Sequence, residues 1–264
     1  MRIDEFIVSF IFAHFRICTF SNFALANDYF SFKQFTIQQS HCALKVSTDS
    51  CVLGAWFASK PFSSEKILDI GSGTGLLMLM LAQKKEGSIK GIEIEPGCYQ
   101  QSIENISNSP WSDRCSAVHG DVRVYPFLES FDFIISNPPF YENQLEAGER
   151  KKDMAKHSSH LGLSDLFKTV NTLMTTKGKF GVLLPFSRRE ESIKTAATFS
   201  LHCTEEVRIK QTSQHDYFRV ILQFERTANP HKEIYAITIR ENDGNYSEKF
   251  TELLKDYYLF LKLL

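Results

Sequence analysis

The sequence predicts an α/β fold built on a mostly parallel sheet. Three observations predict it: short apolar runs alternate with helical patterns, a glycine-rich turn joins one such run to a helix, and polar residues follow the run ends. The 264 residues, 43% hydrophobic and 23% charged, have a globular composition and can bury one sizeable core. We expect a single domain over residues 30–264, preceded by an extension over residues 1–29.

The extension contains an apolar stretch at residues 6–15 and a small-residue site at residues 24–26, both typical of a secretory signal. Asp4 and Glu5 precede this stretch and His14 interrupts it, so we favour a non-catalytic extension and a cytoplasmic location. No run reaches the roughly 20 apolar residues of a membrane-spanning helix.

The elements of the domain follow in order. Alternation over residues 32–37 predicts a strand, and Thr48 or Asp49 is predicted to cap a short apolar helix. Four central strands are expected, with helices between the first three, at residues 67–70, 89–93, 115–119 and 131–136. Parallel strands joined by right-handed crossovers bring their carboxyl ends to one edge of the sheet.

The C-terminal half is predicted to complete the sheet. Helical patterns cover residues 163–174 and 188–198, and a strand covers residues 180–184 between them. Residues 205–210 and 217–224 are expected to form an antiparallel hairpin, and residues 234–239 can add one more strand. An apolar stripe near the C-terminus belongs to the core.

The glycine-rich turn follows the first central strand. Asp69 precedes Gly71, Gly73 and Gly75, and the apolar helical pattern begins at Leu76. Glycines let the backbone approach a ligand, and the helix N-terminus faces the same crevice. The G-x-G-x-G spacing differs from the G-x-G-x-x-G of dinucleotide sites, so we interpret the turn as a pocket for S-adenosylmethionine, with a dinucleotide as the alternative.

Acidic residues end the next two strands. A carboxylate about 20 residues after the glycines suits a ribose, and Glu93 is preferred over Glu95, which precedes Pro96 and suits a helix start. Asp121, followed by Val122, lies where the adenine amino group of the cofactor is expected. A simple turn carboxylate is the alternative for Asp121.

The segment Asn137-Pro138-Pro139-Phe140 follows the fourth strand. The Asn137 side-chain oxygen and the Pro138 carbonyl can accept hydrogen bonds from an amino group, and two prolines fix the backbone. Phe140 offers a face on which a base can stack. An ordinary strand-end turn is the alternative.

The net charge of −1 means that a nucleic acid would be held by a local basic patch. The candidates, with solvated helix faces as the alternative, are Arg150, Lys151, Lys152, Lys156, Arg188 and Arg189. The six cysteines show no C-x-x-C spacing, so neither metal sites nor redox pairs are indicated.

With these motifs assembled, the chain resembles the class I S-adenosylmethionine-dependent methyltransferases, and more narrowly the bacterial tRNA1(Val) (adenine-37-N6)-methyltransferases. The resemblance spans residues 32–261 and includes the residue 45–49 loop, the glycine turn, the residue 136–140 segment and residues 246–258. It implies a Rossmann-like, mostly parallel seven-stranded sheet with a C-terminal antiparallel hairpin and helices on both faces. It also implies methylation of adenine N6 at position 37 of a tRNA, with no metal, no membrane and a monomer favoured.

By this resemblance, catalysis is assigned to Asn137, Pro138, Pro139 and Phe140. Cofactor binding is assigned to Lys45, Thr48, Asp49, Asp69, Gly71, Gly73, Gly75, Glu93, Asp121, Val122 and Asn137. The closest alternative is a methyltransferase with the same loop acting on guanine N2 of ribosomal RNA or on a protein glutamine amide. A dinucleotide-dependent oxidoreductase and a non-catalytic binding module are the alternatives from other classes.

Overall fold

The computed structural model describes residues 27–61, 65–139 and 161–261. Within these residues the helices are α1 (Thr48–Ser59), α2 (Leu76–Ala82), α3 (Pro96–Ser107), α4 (Leu163–Leu173), α5 (Arg189–Ala197) and α6 (Glu248–Leu254). The strands are β1 (Tyr29–Ser31), β2 (Thr36–Gln38), β3 (Lys66–Ile70), β4 (Ser88–Glu93), β5 (Cys115–His119), β6 (Phe131–Ser136), β7 (Met174–Pro185), β8 (His202–Lys210), β9 (Tyr217–Glu225) and β10 (Glu233–Thr238). None of the described helices is long and apolar enough to cross a membrane.

The main sheet has the strand order β10-β8-β9-β7-β6-β3-β4-β5. The pairings β3 with β4, β3 with β6, β4 with β5 and β6 with β7 are parallel, whereas β9 runs antiparallel between β7 and β8. The predicted α/β class and closing hairpin are therefore confirmed. The main sheet has eight strands and not the seven expected, because β10 pairs parallel with the edge strand β8 and extends the sheet beyond the hairpin.

Two hydrophobic cores cover the two faces of the sheet. One contains Phe57 of α1, Met80 of α2 and Phe133 of β6, together with residues of α6. The other contains Phe167 of α4 and Phe224 of β9. Since both faces are covered by helices, the central strands are apolar throughout, as expected for a parallel sheet.

Helix α1 packs directly on the backbone of its neighbours. A Cβ atom added to Gly181 of β7 would lie 2.3 Å from the Phe57 ring, and one added to Gly54 would lie 2.7 Å from Met80 Sδ. Both distances are too short for a real contact, so the two glycines set how closely α1 approaches the sheet and α2.

Two local predictions near the start of the domain were wrong. Of the single strand predicted over residues 32–37, only Thr36 and Ile37 are in a strand, whereas residues 32–35 form the turn between β1 and β2, which pair antiparallel. Phe32 and Phe35 stack with ring centroids 4.5 Å apart, whereas alternation in one strand would have put them on opposite faces. Helix α1 is capped by Ser47, not by Thr48 or Asp49, because Ser47 and Ser50 form a reciprocal capping box.

Candidate active site

The site is built at the carboxyl edge of four adjacent strands, β6, β3, β4 and β5. The Ser136 hydroxyl donates a 2.8 Å hydrogen bond to the carbonyl of Ile70, which joins the end of β6 to the end of β3. The Gly71 N–H donates to the Ile92 carbonyl at 2.9 Å, and the Gly120 N–H donates to the Glu93 carbonyl at 2.9 Å. The predicted meeting of the strand ends is thus observed.

The glycine turn has the backbone that its sequence predicts. Gly71, Gly73 and Gly75 have φ values of 72°, 53° and 83°, a region that side chains disfavour. Nothing lies within 4 Å of a Cβ atom added to Gly71 or Gly73. These two glycines therefore face open space, and their backbone is accessible to a ligand.

Glu93 is oriented by two backbone groups. Its carboxylate is buried, and its two oxygens accept 2.8 Å hydrogen bonds from the N–H groups of Gly73 and Glu95. Each carboxylate oxygen has a further lone pair, so Glu93 can still accept from a ligand hydroxyl. Glu95 is the N-cap of α3 and accepts from the Cys98 N–H at 2.6 Å, which is the helix-start role predicted for it.

A second carboxyl lies beneath the turn. Asp69 is fully buried, and neither of its oxygens has a hydrogen-bond partner; the buried Ser72 hydroxyl is also without one. Burial, and then repulsion from Glu93, raises the pKa of Asp69 to about 8. Unpaired buried polar groups are costly, so this pair of residues is suited to a polar ligand.

The loop before α1 is held near this edge by α3, where Gln101 accepts a 3.2 Å hydrogen bond from the His41 N–H, and by β9. The Lys45 amino group donates to the Gln39 carbonyl at 2.5 Å, and Thr48 is the first residue of α1. Asp49 accepts from Arg219 Nε at 2.9 Å. The ligand contacts predicted for Lys45, Thr48 and Asp49 stay predictions.

Asp121 follows β5 and is paired with Arg123. Arg123 Nε lies 2.9 Å from both carboxylate oxygens, and the hydrogen bonds from Arg123 lower the pKa of Asp121. Val122 is buried in the core beside it. The carboxylate is therefore held ionised and in a fixed orientation at this strand end.

The Asn137-Pro138-Pro139 segment leaves β6 directly after Ser136. Asn137 is partly buried, Pro138 is buried and Pro139 is exposed. Phe140 lies outside the described residues, as do four residues predicted to bind RNA: Arg150, Lys151, Lys152 and Lys156. The described acceptors thus stand at the end of the strand adjacent to the glycine turn.

The remaining predicted RNA-binding residues are at the start of α5. Arg188 pairs with Glu191 at 2.9 Å, and Arg189 Nε lies 2.6 Å from the carboxylate of Glu206. Arg189 therefore has a structural ion pair in addition to any role in binding.

Sequence patterns missed two connections around the site. Cys42 and Cys98 form a disulfide with Cα atoms 4.9 Å apart, although they are 56 residues apart and no spacing motif marks them. The ion pair between Asp49 and Arg219 spans an even longer separation. Among the described residues, no group of three or more His, Cys, Asp or Glu side chains could hold a metal ion.

Comparison with known proteins identifies the chemistry of this edge. Residues 40–163 match the family model of the methyltransferase small domain. The chain is 36% identical to the tRNA1(Val) (adenine(37)-N6)-methyltransferase of Christiangramia forsetii over 90% of this chain and 100% of that protein. It is 37% identical to the protein of that name from Dyadobacter fermentans over 88% of this chain and 98% of that protein.

Solved structures agree on the fold. A predicted O-methyltransferase from Agrobacterium tumefaciens has a TM-score of 0.61 at 16% identity and covers 81% of this chain and 99% of its own. The glycopeptide N-methyltransferase MtfA, complexed with S-adenosyl-L-methionine, has a TM-score of 0.51 at 11% identity and covers 70% of this chain and 97% of its own.

The open space above Gly71 and Gly73, the inward carboxylate of Glu93 and the unpaired groups of Asp69 and Ser72 fit S-adenosylmethionine, which carries hydroxyl groups and positive charge. This fit agrees with the relatives found by sequence. The chain is a Rossmann-like, S-adenosylmethionine-dependent methyltransferase and belongs to the family of tRNA1(Val) (adenine(37)-N6)-methyltransferases.

Proposed function

We propose that this protein methylates N6 of the adenine at position 37 of tRNA1(Val), the activity in the printed names of its relatives. The observation that carries the proposal is the position of Asn137, Pro138 and Pro139 at the end of β6, with the glycine turn at the end of the adjacent β3. Acceptors for an amine and a turn for the methyl donor therefore belong to one edge.

The target amine is a poor nucleophile because its lone pair is delocalised into the ring. The side-chain oxygen of Asn137 and the carbonyl of Pro138 are the two acceptors available for its hydrogens. Hydrogen bonds to both would favour a nitrogen with its lone pair free to attack. The prolines fix the backbone of both acceptors, so little reorganisation is needed on binding.

S-adenosylmethionine supplies the methyl group on a sulfonium centre when it is bound. Glu93 is assigned to its ribose, Asp121 and Val122 to its adenine, and the backbone of Gly71 and Gly73 to close approach. Since no group of the chain must change its covalent state, positioning is the main contribution of the protein. Holding two reactants in register contributes on the order of 7–11 kcal/mol.

The adenine must leave its stack to reach these acceptors, at a cost of a few kcal/mol. That cost is smallest for a loop nucleotide, such as one beside an anticodon. We therefore propose that tRNA is the macromolecular substrate and that the protein is located in the cytoplasm.

The test is methylation of a tRNA1(Val) transcript by the purified protein and S-adenosylmethionine, followed by mass spectrometry of the nucleosides. We expect N6-methyladenosine from this transcript and none from a matched transcript with guanosine in place of adenosine 37. Methylguanosine in ribosomal RNA, or methylglutamine in a protein, without N6-methyladenosine in tRNA, would overturn the proposal in favour of an alternative substrate.

A further inference from the structure

The carboxyl end of β8 and the amino end of β9 carry a surface of aromatic and basic side chains beside the candidate active site. This surface, here called the β8–β9 rim, consists of Phe186, Arg208, Lys210, Tyr217 and Phe218. Pro185 at the end of β7 pairs with Arg219, so the rim stands at the same edge of the sheet as Asn137. Strand β9 lies two strand spacings, about 10 Å, from β6.

A bulge shapes the rim. Ile209 pairs with Arg219 and Lys210 pairs with Tyr217, so Phe218 is an extra residue in β9 without a partner in β8. Such bulges re-aim side chains and are common next to active sites. Here Phe218 is 37% exposed, while Arg219 turns towards Asp49 at the start of α1.

Aromatic rings and cations alternate on the rim. The rings of Phe186 and Tyr217 have centroids 5.3 Å apart. The Arg208 guanidinium lies 6.0 Å from the Phe186 ring and 5.9 Å from the Tyr217 ring, and Lys210 Nζ lies 5.8 Å from the Tyr217 ring. These partly exposed side chains combine flat faces with positive charge.

The charge beneath the rim is unbalanced. Arg189, Arg208 and Lys232 all pair with Glu206, whose side chain is fully buried. Three cations on one carboxylate leave an excess of two positive charges in this group. Although the chain has a net charge of −1, this group beside the rim therefore contains more cations than anions.

We propose that the β8–β9 rim binds the single-stranded nucleotides that flank the target base, with Tyr217 and Phe218 stacking on bases and Arg208 and Lys210 contacting phosphates. This combination of aromatic platforms and a basic track is how proteins hold single-stranded nucleic acid. The inference deepens the proposed function and rests on it, because the flanking nucleotides belong to the same RNA.

The experiment compares Phe218→Ala and Tyr217→Ala with Tyr235→Ala. Tyr235 of β10 is a matched control because it is 39% exposed and its ring packs against Trp56 of α1, on the face of the sheet opposite to the Phe186 ring. Each rim variant is expected to raise KM for the tRNA1(Val) transcript at least about fivefold, the lower bound for one base–aromatic stack. The affinity for S-adenosylmethionine and kcat should stay within twofold of wild type.

Two further variants separate binding from folding. Phe218→Tyr keeps an aromatic ring and should restore the KM. Lys210→Ala should weaken binding of the fluorescently labelled transcript and reduce the slope of log Kd against log salt by about one. Unchanged KM in both alanine variants, or an equal loss in Tyr235→Ala, would overturn the rim assignment.

Failure of the proposed role of the β8–β9 rim can be distinguished from failure of the proposed function. A wild-type protein that does not methylate the tRNA1(Val) transcript contradicts the proposed function, whatever the variants do. A wild-type protein that methylates it, with rim variants that behave identically, contradicts only the rim.

Discussion

The hydroxyl of Ser136 donates a hydrogen bond to the carbonyl of Ile70 at 2.8 Å, and both residues are buried. One residue immediately precedes Asn137 and the other immediately precedes Gly71. This contact links the two segments assigned to the target amine and to the methyl donor, which lie on adjacent strands.

Asn137→Ala should lower kcat at least about 100-fold, the size of loss seen when one preorganised hydrogen-bonding group is removed from a reacting centre. Calorimetry should find a much smaller loss in the affinity for S-adenosylmethionine than in kcat. Asn137→Asp is the matched control, because it keeps an acceptor oxygen and should retain more activity than the alanine variant. Wild-type turnover in Asn137→Ala would refute the acceptor role.

Glu93→Gln should weaken cofactor binding by about 10- to 100-fold, since a hydrogen bond to a charged group contributes about 1.5–3 kcal/mol. Glu95→Gln is the comparison, because Glu95 caps α3 through the Cys98 N–H and should affect cofactor affinity little. Titration calorimetry of both variants measures the difference. Equal affinities would remove the ribose role from Glu93.

The raised pKa of Asp69 predicts that the free energy of unfolding depends on pH. Its pKa is raised to about 8 in the folded protein, above the ordinary value of about 4 for an unfolded chain. The stabilisation from the neutral form is therefore complete below about pH 4 and is lost as the pH rises towards 8. Urea midpoints between pH 5 and pH 8 should fall more for wild type than for Asp69→Asn, and parallel pH profiles would contradict this.

Reduction of the disulfide between Cys42 and Cys98 should lower the free energy of unfolding by about 2–4 kcal/mol, measured by urea denaturation with and without a thiol reductant. The double variant Cys42→Ser, Cys98→Ser should not respond to the reductant. With two of the six cysteines bonded, the unfolded but unreduced protein should expose at most four thiols. Six titratable thiols would show that the bond is absent.

Removal of residues 1–26 should preserve methyl transfer, in line with the proposal that the N-terminal extension is non-catalytic. The cut is placed before Asn27 because the carbonyls of Asn27 and Asp28 accept hydrogen bonds from Gln39, and Tyr29 begins β1. Activity assays on the full chain and the truncated chain test this. A truncated protein that is folded, by circular dichroism, but inactive would contradict it.

Most of the sheet could be predicted from the sequence because the relevant signals are local. The glycine turn needs positive φ at Gly71 and Gly73, and the apolar runs have the length and spacing of parallel strands. Glu95 before Pro96 marks the start of α3 for the same reason, since a cap acts on residues that follow it directly.

The features that escaped prediction depend on distant contacts. The run of residues 32–37 has the pattern of a strand. Phe35 packs against Trp111, however, and Phe32 packs against Tyr258, which favours a chain reversal between them. The pair Asp49 and Arg219 and the bond between Cys42 and Cys98 join segments that no short pattern connects. The unpaired carboxyl of Asp69 is likewise invisible until its surroundings are known.

The close packing of Phe57 on Gly181 determines how the enzyme tolerates substitutions at position 181. Helix α1, which packs on Gly181 through Phe57, begins at Thr48, beside the loop assigned to the methyl donor. The packing of α1 on β7 therefore sets the position of that loop. Any larger residue at position 181 would displace the Phe57 ring and disturb the packing of α1 on β7. A substitution in the middle of β7, away from the residues assigned to ligands, can therefore inactivate the protein.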